Sequence, residues 1–169
     1  MNYTIAIFPK IEDKKESDKI NIIRKKHDPS YKFIKPHVAL VYYFKEKPEK
    51  EKLRKISKKF NSFNITLNKI NLSPKGNFIF LDVTKGKKEI IKLKEELYKK
   101  LNLKWDKNFQ YKPHITLANF KTKKEQQKVF KEISKKKIKI SCKIDSFTLL
   151  EVSKDFKNIK SKKEFNLKK

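Results

Sequence analysis

Two hexapeptides in this chain repeat one another: Lys35-Pro36-His37-Val38-Ala39-Leu40 and Lys112-Pro113-His114-Ile115-Thr116-Leu117 agree in Lys, Pro, His and Leu, with Val and Ile exchanged between them. Imidazole has an unperturbed pKa of about 6.5, so near neutral pH it can take a proton or, once charged, give one. Breaking a phosphodiester asks for both jobs, on opposite sides of phosphorus: a base for the attacking oxygen and an acid for the departing one. In a strand, residues two apart share a face, so Thr116 would project beside His114, where its hydroxyl can donate to a nonbridging phosphate oxygen. The spacing therefore nominates His37 and His114 as the catalytic pair and Thr116 as the phosphate ligand. Ala39 occupies the place matching Thr116 and has no donor to offer.

Two such segments work together only if the fold brings them to one cleft. Residues 3–8 alternate aromatic and β-branched side chains and end at Pro9, as a strand does. Residues 13–26 carry Ile20 and Ile23 at helical spacing, and Asp28-Pro29-Ser30 marks a turn. Residues 33–44 are apolar enough for one or two strands around His37. Leu53, Ile56 and Phe60 share one helix face after Pro48 and Glu49. Residues 63–68 and 78–83 read as strands joined as a hairpin through Ser73-Pro74-Lys75-Gly76. Ile90, Leu93, Leu97 and Leu101 form a helical stripe, and residues 111–120 repeat the short proline-led apolar segment. Thr122 with Glu125 spells a capping box for a helix burying Val129, Phe130 and Ile133. Strands follow at 138–144 and 147–152, a polar loop at 153–163 and a last short strand at 164–167. Several strands in direct succession indicate an α+β fold with mainly antiparallel sheets, and the echo of element order between halves suggests duplication.

Composition narrows the classes. The 169 residues, 37% hydrophobic, suffice for one domain or two small lobes sharing an interface. No apolar run is long enough to cross a membrane and no secretory leader is evident, so a soluble cytoplasmic protein is expected. The lone Cys142 excludes an intrachain disulfide and reads as a buried or half-buried strand thiol. No His-Glu-x-x-His spacing or third ligand accompanies the two histidines, so no metal site is expected, and with only Gly76 and Gly86 there is no glycine-rich phosphate loop. The formal charge of +27 attracts polyanions, RNA foremost. Only Arg24 and Arg54 of the 46 basic residues are arginines, however, so the field is one of mobile lysine charges, matched equally well by a compositional bias.

On these residues the chain resembles the 2H phosphoesterase superfamily, which includes the 2′-5′ RNA ligases and RNA cyclic phosphodiesterases and is defined by two His-x-Thr/Ser motifs. Ile5-Ala6-Ile7-Phe8-Pro9, the stretch Arg24-Lys25-Lys26-His27-Asp28-Pro29-Ser30-Tyr31 and Pro36-His37 are similar to the bacterial YjcG-like branch. The resemblance implies a bilobal pseudo-twofold fold over 1–169, antiparallel sheets lining a central cleft and helices outside, with motifs at 37–40 and 114–117. It implies no required metal and substrates that are 2′,3′-cyclic or 2′-5′ phosphodiesters of RNA ends or nucleotides; no cofactor and a monomer are expected. The first motif departs from the pattern at Ala39.

That departure motivates a second expectation, an RNA-binding module of the same shape with weakened or lost catalysis. A third is a basic structural or ribosome-associated protein in which the hexapeptides are remnants. Among neighbouring residues, His27 reads as a surface side chain. Phe33, Tyr42, Tyr43 and Tyr111 read as core, with base stacking the sharper option. Lys35 and Lys112 read as solvent-exposed or as electrostatic aids to a phosphate.

Overall fold

A computed structural model describes residues 1–105, 110–155 and 157–169. The elements follow in the order β1 (Asn2–Ile7), α1 (Lys14–His27), β2 (Val38–Phe44), α2 (Lys50–Ser57), β3 (Phe63–Leu72), β4 (Phe78–Lys85), α3 (Lys87–Lys100), β5 (His114–Asn119), α4 (Lys123–Ile133), β6 (Ile140–Ile144), β7 (Ser146–Val152) and β8 (Ile159–Asn166). The eight strands form one antiparallel sheet in the order β6-β3-β4-β5-β2-β1-β7-β8. The expected hairpin joins β3 to β4.

The two motif strands, β5 and β2, are neighbours at the centre of this order, with three strands outside each. The spatial halves are not the sequence halves. β3, β4, β5 and β6 are consecutive in the chain, whereas β2 and β1 are completed by β7 and β8 from the far end.

Helix placement follows local chemistry. Asp13 caps α1 by accepting from the Glu16 N–H at 3.1 Å, and Ile20 and Ile23 supply its buried stripe. Gly86 precedes α3 at φ +80°, and an added Cβ there would lie 2.5 Å from the Asn64 carbonyl oxygen, so both conformation and space require glycine. Thr122 and Glu125 form the capping box on α4. This last helix sits shallower than its pattern implied: Ile133 is buried, Val129 and Phe130 are half-buried, and Gln126 is sunk instead, donating to the Phe78 carbonyl at 2.7 Å. α1 packs on β5 and α3 on β2, so each covers the other half's motif strand. Val38, Leu40, Ile115 and Leu117 are fully buried in the one core that results.

Two segments differ from the sequence reading. The stretch read as a loop up to residue 163 includes β8 from Ile159, an edge strand whose exposed lysines pair only through backbone with β7; such polar edges resist unwanted pairing and carry no hydrophobic signal. The turn read at Asp28-Pro29-Ser30 runs on to Phe33, closed by Tyr31 N–H to Asp28 O and Phe33 N–H to Ser30 O, both at 3.0 Å, so the strand expected from residue 33 starts only at Val38. Among the described residues no helix is long and apolar enough to cross a membrane.

Candidate active site

Pro36 and Pro113 have no N–H to donate to a ladder, and each motif strand starts just behind its proline. β2 and β5 then meet with Val38 opposite Ile115. An antiparallel pairing contains a local twofold, and here it carries one hexapeptide onto the other. Alternation about that pair turns His37, Ala39, His114 and Thr116 away from the core face taken by Val38 and Ile115. Both rings are half-buried at the wall of one cavity of about 360 Å³, shared with Ala39 and Thr116.

The rings are held alike. His37 Nδ1 lies 3.0 Å from the Lys35 carbonyl oxygen and His114 Nδ1 2.6 Å from that of Lys112. A carbonyl can only accept, so Nδ1 carries the hydrogen and each Nε2 is left as the working atom. Burial lowers the pKa of His37, opposed by its bond to Lys35; the Arg24 and His114 charges lower it further while Asp28 raises it. Burial likewise lowers His114, opposed by Lys112 and by Asp82.

The twofold is broken in the next strands out. β4 places Asp82 opposite His114 and Phe80 opposite Thr116. The Phe80 ring stacks on His114 at 3.6 Å, and Asn71 Nδ2 donates to Asp82 Oδ2 at 2.5 Å. β1 places only Ala6 opposite Ala39, and Phe8 tilts against His37 at 5.7 Å. Beyond His114 a second cavity of about 1110 Å³ runs over β3 and β4 past Phe78, Phe80, Asp82, Lys69 and Lys112.

On the His37 side the chemistry comes from α1 instead. Arg24, 2% exposed, directs Nε and Nη2 to Asp28 Oδ2, each at 2.8 Å, and Nη2 also to the Ile34 carbonyl at 2.9 Å. Asp28 Oδ1 accepts the Ser30 N–H at 2.9 Å. A buried ion pair holds only when its remaining hydrogen-bonding capacity is used, and here it clamps the turn segment leading to His37. Across the cleft, the Tyr111 hydroxyl donates to the Ala39 carbonyl at 2.7 Å and so joins the approach to β5 to β2. Lys94 of α3 lies over the Tyr98, Trp105 and Tyr111 rings, and burial brings its ammonium down to about 8.

The structure thus brings His37, His114 and Thr116 together. Lys112 lines the larger cavity and Lys35 is exposed. Phe33, Tyr42 and Tyr43 are not core: they are 45%, 39% and 55% exposed and line the smaller cavity. Apolar residues flanking a motif read as core only if nothing hollows the sheet at that point. His27 is half-buried against Phe120, ring centroids 5.6 Å apart, rather than a surface residue. Cys142 is half-buried in β6, and burial raises its thiol to about 11, the unreactive thiol expected. Sequence reasoning missed Phe80 and Asp82, whose nearness to His114 depends on strand register. It also missed the Arg24–Asp28 pair, although opposite charges four apart at a helix end were a usable signal.

This is the architecture of a two-histidine phosphoesterase. The chain belongs to the 2′-5′ RNA ligase superfamily, whose family model matches residues 9–156. It is 33% identical over 159 residues to a provisionally named phosphoesterase of Oceanobacillus iheyensis, covering 89% of each chain. A provisionally named phosphoesterase of Bacillus cytotoxicus is 32% identical over 157 residues, covering 89% of this chain and 88% of the other. E. coli LigT complexed with 3′-AMP shares the fold at TM-score 0.65 and 18% identity over 99% of this chain and 98% of its own. Kluyveromyces marxianus Usb1 with uridine monophosphate superposes at TM-score 0.52 and 10% identity over 98% of both.

Proposed function

We propose that this protein is a phosphodiesterase acting, without a metal requirement, on 2′,3′-cyclic or 2′-5′ phosphodiesters of RNA ends or nucleotides. The observation that carries the reading is the pair of imidazoles, each with Nδ1 committed to a carbonyl two residues back and Nε2 free on the cleft face of paired strands. In hydrolysis of a cyclic diester one neutral Nε2 removes a proton from the attacking water. The new P–O bond forms as the bond to one ribose oxygen breaks, and the other imidazolium gives its Nε2 proton to that oxygen. The product is a phosphomonoester and a free hydroxyl. Thr116 donates to a nonbridging oxygen, where charge accumulates. Both proton transfers are met by side chains, so the step asks for no metal. The reading places the protein in the cytoplasm, acting as a monomer in which 1–169 work as one two-lobed domain.

Ala39 favours a second reading, an RNA-binding module of this shape with weakened or lost turnover. One assay separates the two. Purified full-length protein in chelator, given a 2′,3′-cyclic-phosphate oligonucleotide, should open the ring, and His37→Ala and His114→Ala should each abolish this. Salt-dependent RNA binding with no turnover on any cyclic or 2′-5′ diester would overturn the first reading in favour of the second.

A further inference from the structure

The His37 half of the cleft has no side-chain hydroxyl where Thr116 stands in the other half, and Ala6 beside Ala39 supplies none either. A phosphate between the two Nε2 atoms would therefore be held from one side only. The guanidinium of Arg24 lies at the wall of that same cavity, with His37, Ala39, His114 and Thr116. Its contacts use Nε and Nη2 alone: Nε donates to Asp28 and Nη2 to the Ile34 carbonyl, with Nη2 also 2.8 Å from Asp28 Oδ2. Among the described residues no hydrogen bond engages Nη1, the Tyr31 ring lies 6.0 Å from Cζ, and no fully occluded side-chain nitrogen or oxygen lacks a partner. Nη1 is thus the part of this otherwise buried side chain that keeps access to solvent.

We infer that Arg24 is a phosphate-binding residue, its Nη1 edge supplying on the His37 side the donor that Ala39 cannot. The inference rests on the phosphodiesterase reading of the site and adds to it the group that completes the anion pocket. Three observations agree with it. Asp28 and the Ile34 carbonyl fix the guanidinium plane, so the donor is preorganised and needs little reordering when an anion arrives. Lysine is used almost everywhere else a cation stands in this chain, yet only a planar guanidinium can hold Asp28 and Ile34 through Nε and Nη2 and still present the N–H groups of Nη1. Asp28 offsets the guanidinium charge in the empty site, which makes burial tolerable without using up the Nη1 donors.

The composition makes the test direct. Arg24 and Arg54 are the only arginines, so protein labelled with ¹⁵N-arginine gives two guanidinium signals, assigned by Arg54→Lys. Titration with inorganic phosphate should shift the Arg24 signal together with the His37 and His114 ring resonances and leave Arg54 of α2 still. Arg24→Lys should weaken phosphate about 10- to 100-fold, the range for a lost hydrogen bond to a charged group. Ala39→Thr should recover part of that loss in the Arg24→Lys protein and add little to the parent. Histidine signals that move with phosphate while Arg24 does not would overturn the inference and spare the active site. So would an Ala39→Thr gain of equal size with and without Arg24. No response from any of the three residues would instead remove the site reading on which the inference rests. The labelling experiment uses the parent protein, so it decides the matter even if Arg24→Lys fails to fold.

Discussion

Val38 and Ile115 pair across the β2–β5 junction, and that one pair brings His37, Ala39, His114 and Thr116 to the wall of the same cavity. The two histidines and Thr116 therefore line one cavity, and Thr116 is the motif hydroxyl that can donate to a phosphate held there. Thr116→Val keeps the shape and removes only the donor. It should lower kcat by about 10² to 10³, the cost of losing one oxyanion donor, with unchanged thermal unfolding. Steady-state kinetics on a cyclic diester and a melting curve together check this.

The pH profile follows from burial. Both histidines are lowered from the ordinary imidazole value, so the kcat/KM optimum should lie on the acid side of about 6.5, with limbs belonging to the coupled pair. Asp82 faces His114 alone, and its negative charge favours the imidazolium. Asp82→Asn should therefore move one limb to still lower pH and leave the other in place; a profile displaced as a whole would contradict the geometry.

Stability has a matching sign. A histidine whose folded pKa is depressed contributes stability that is present above its unfolded value, about 6.5, and is lost as pH falls through the folded value. Urea unfolding should show a decline below pH 6.5 that is shallower in the His37→Asn, His114→Asn double variant.

Tyr111 ties the two motif segments by one hydrogen bond to the Ala39 carbonyl. Tyr111→Phe leaves that half-buried carbonyl without its donor and should cost about 1–3 kcal/mol, measurable by urea titration, together with weaker nucleotide binding as β2 and β5 lose their cross-tie. A change in binding without a change in stability would mean that the hydroxyl meets the ligand directly.

Binding of single-stranded RNA should fall with salt. Lys69 and Lys112 line the larger cavity, and if they meet backbone phosphates, replacing either by Gln should flatten the log–log salt slope by about 0.7. Anisotropy titrations over a salt series give the slope, and unchanged slopes would confine RNA to the smaller cavity.

Most of the scaffold was legible because its signals are local. The capping box at Thr122, the alternation in residues 63–68 and the stripe from Ile90 to Leu101 are each read within a dozen residues. The site was legible because it is duplicated, so that one weak tripeptide was weighed against its copy. What escaped was non-local: Phe80 and Asp82 come to His114 only through the β4–β5 register, and β8 is a strand because β7 offers it an edge. The aromatic residues near His37 misled for a related reason, since no hydropathy pattern distinguishes a ring facing a core from one facing a cavity.

The chain order of the sheet has a consequence for how the protein comes into being. The strands on the His114 side of the β2–β5 junction emerge as one stretch, β3 to β6, while β1 waits for β7 and β8, the last strands made. A growing polypeptide can settle the His114 side early, but the His37 side must close a loop spanning nearly the whole chain. Cutting the chain before Ser146 would leave β1 an open edge beside His37, so a fragment containing both histidines would still lack the strands that complete the His37 side.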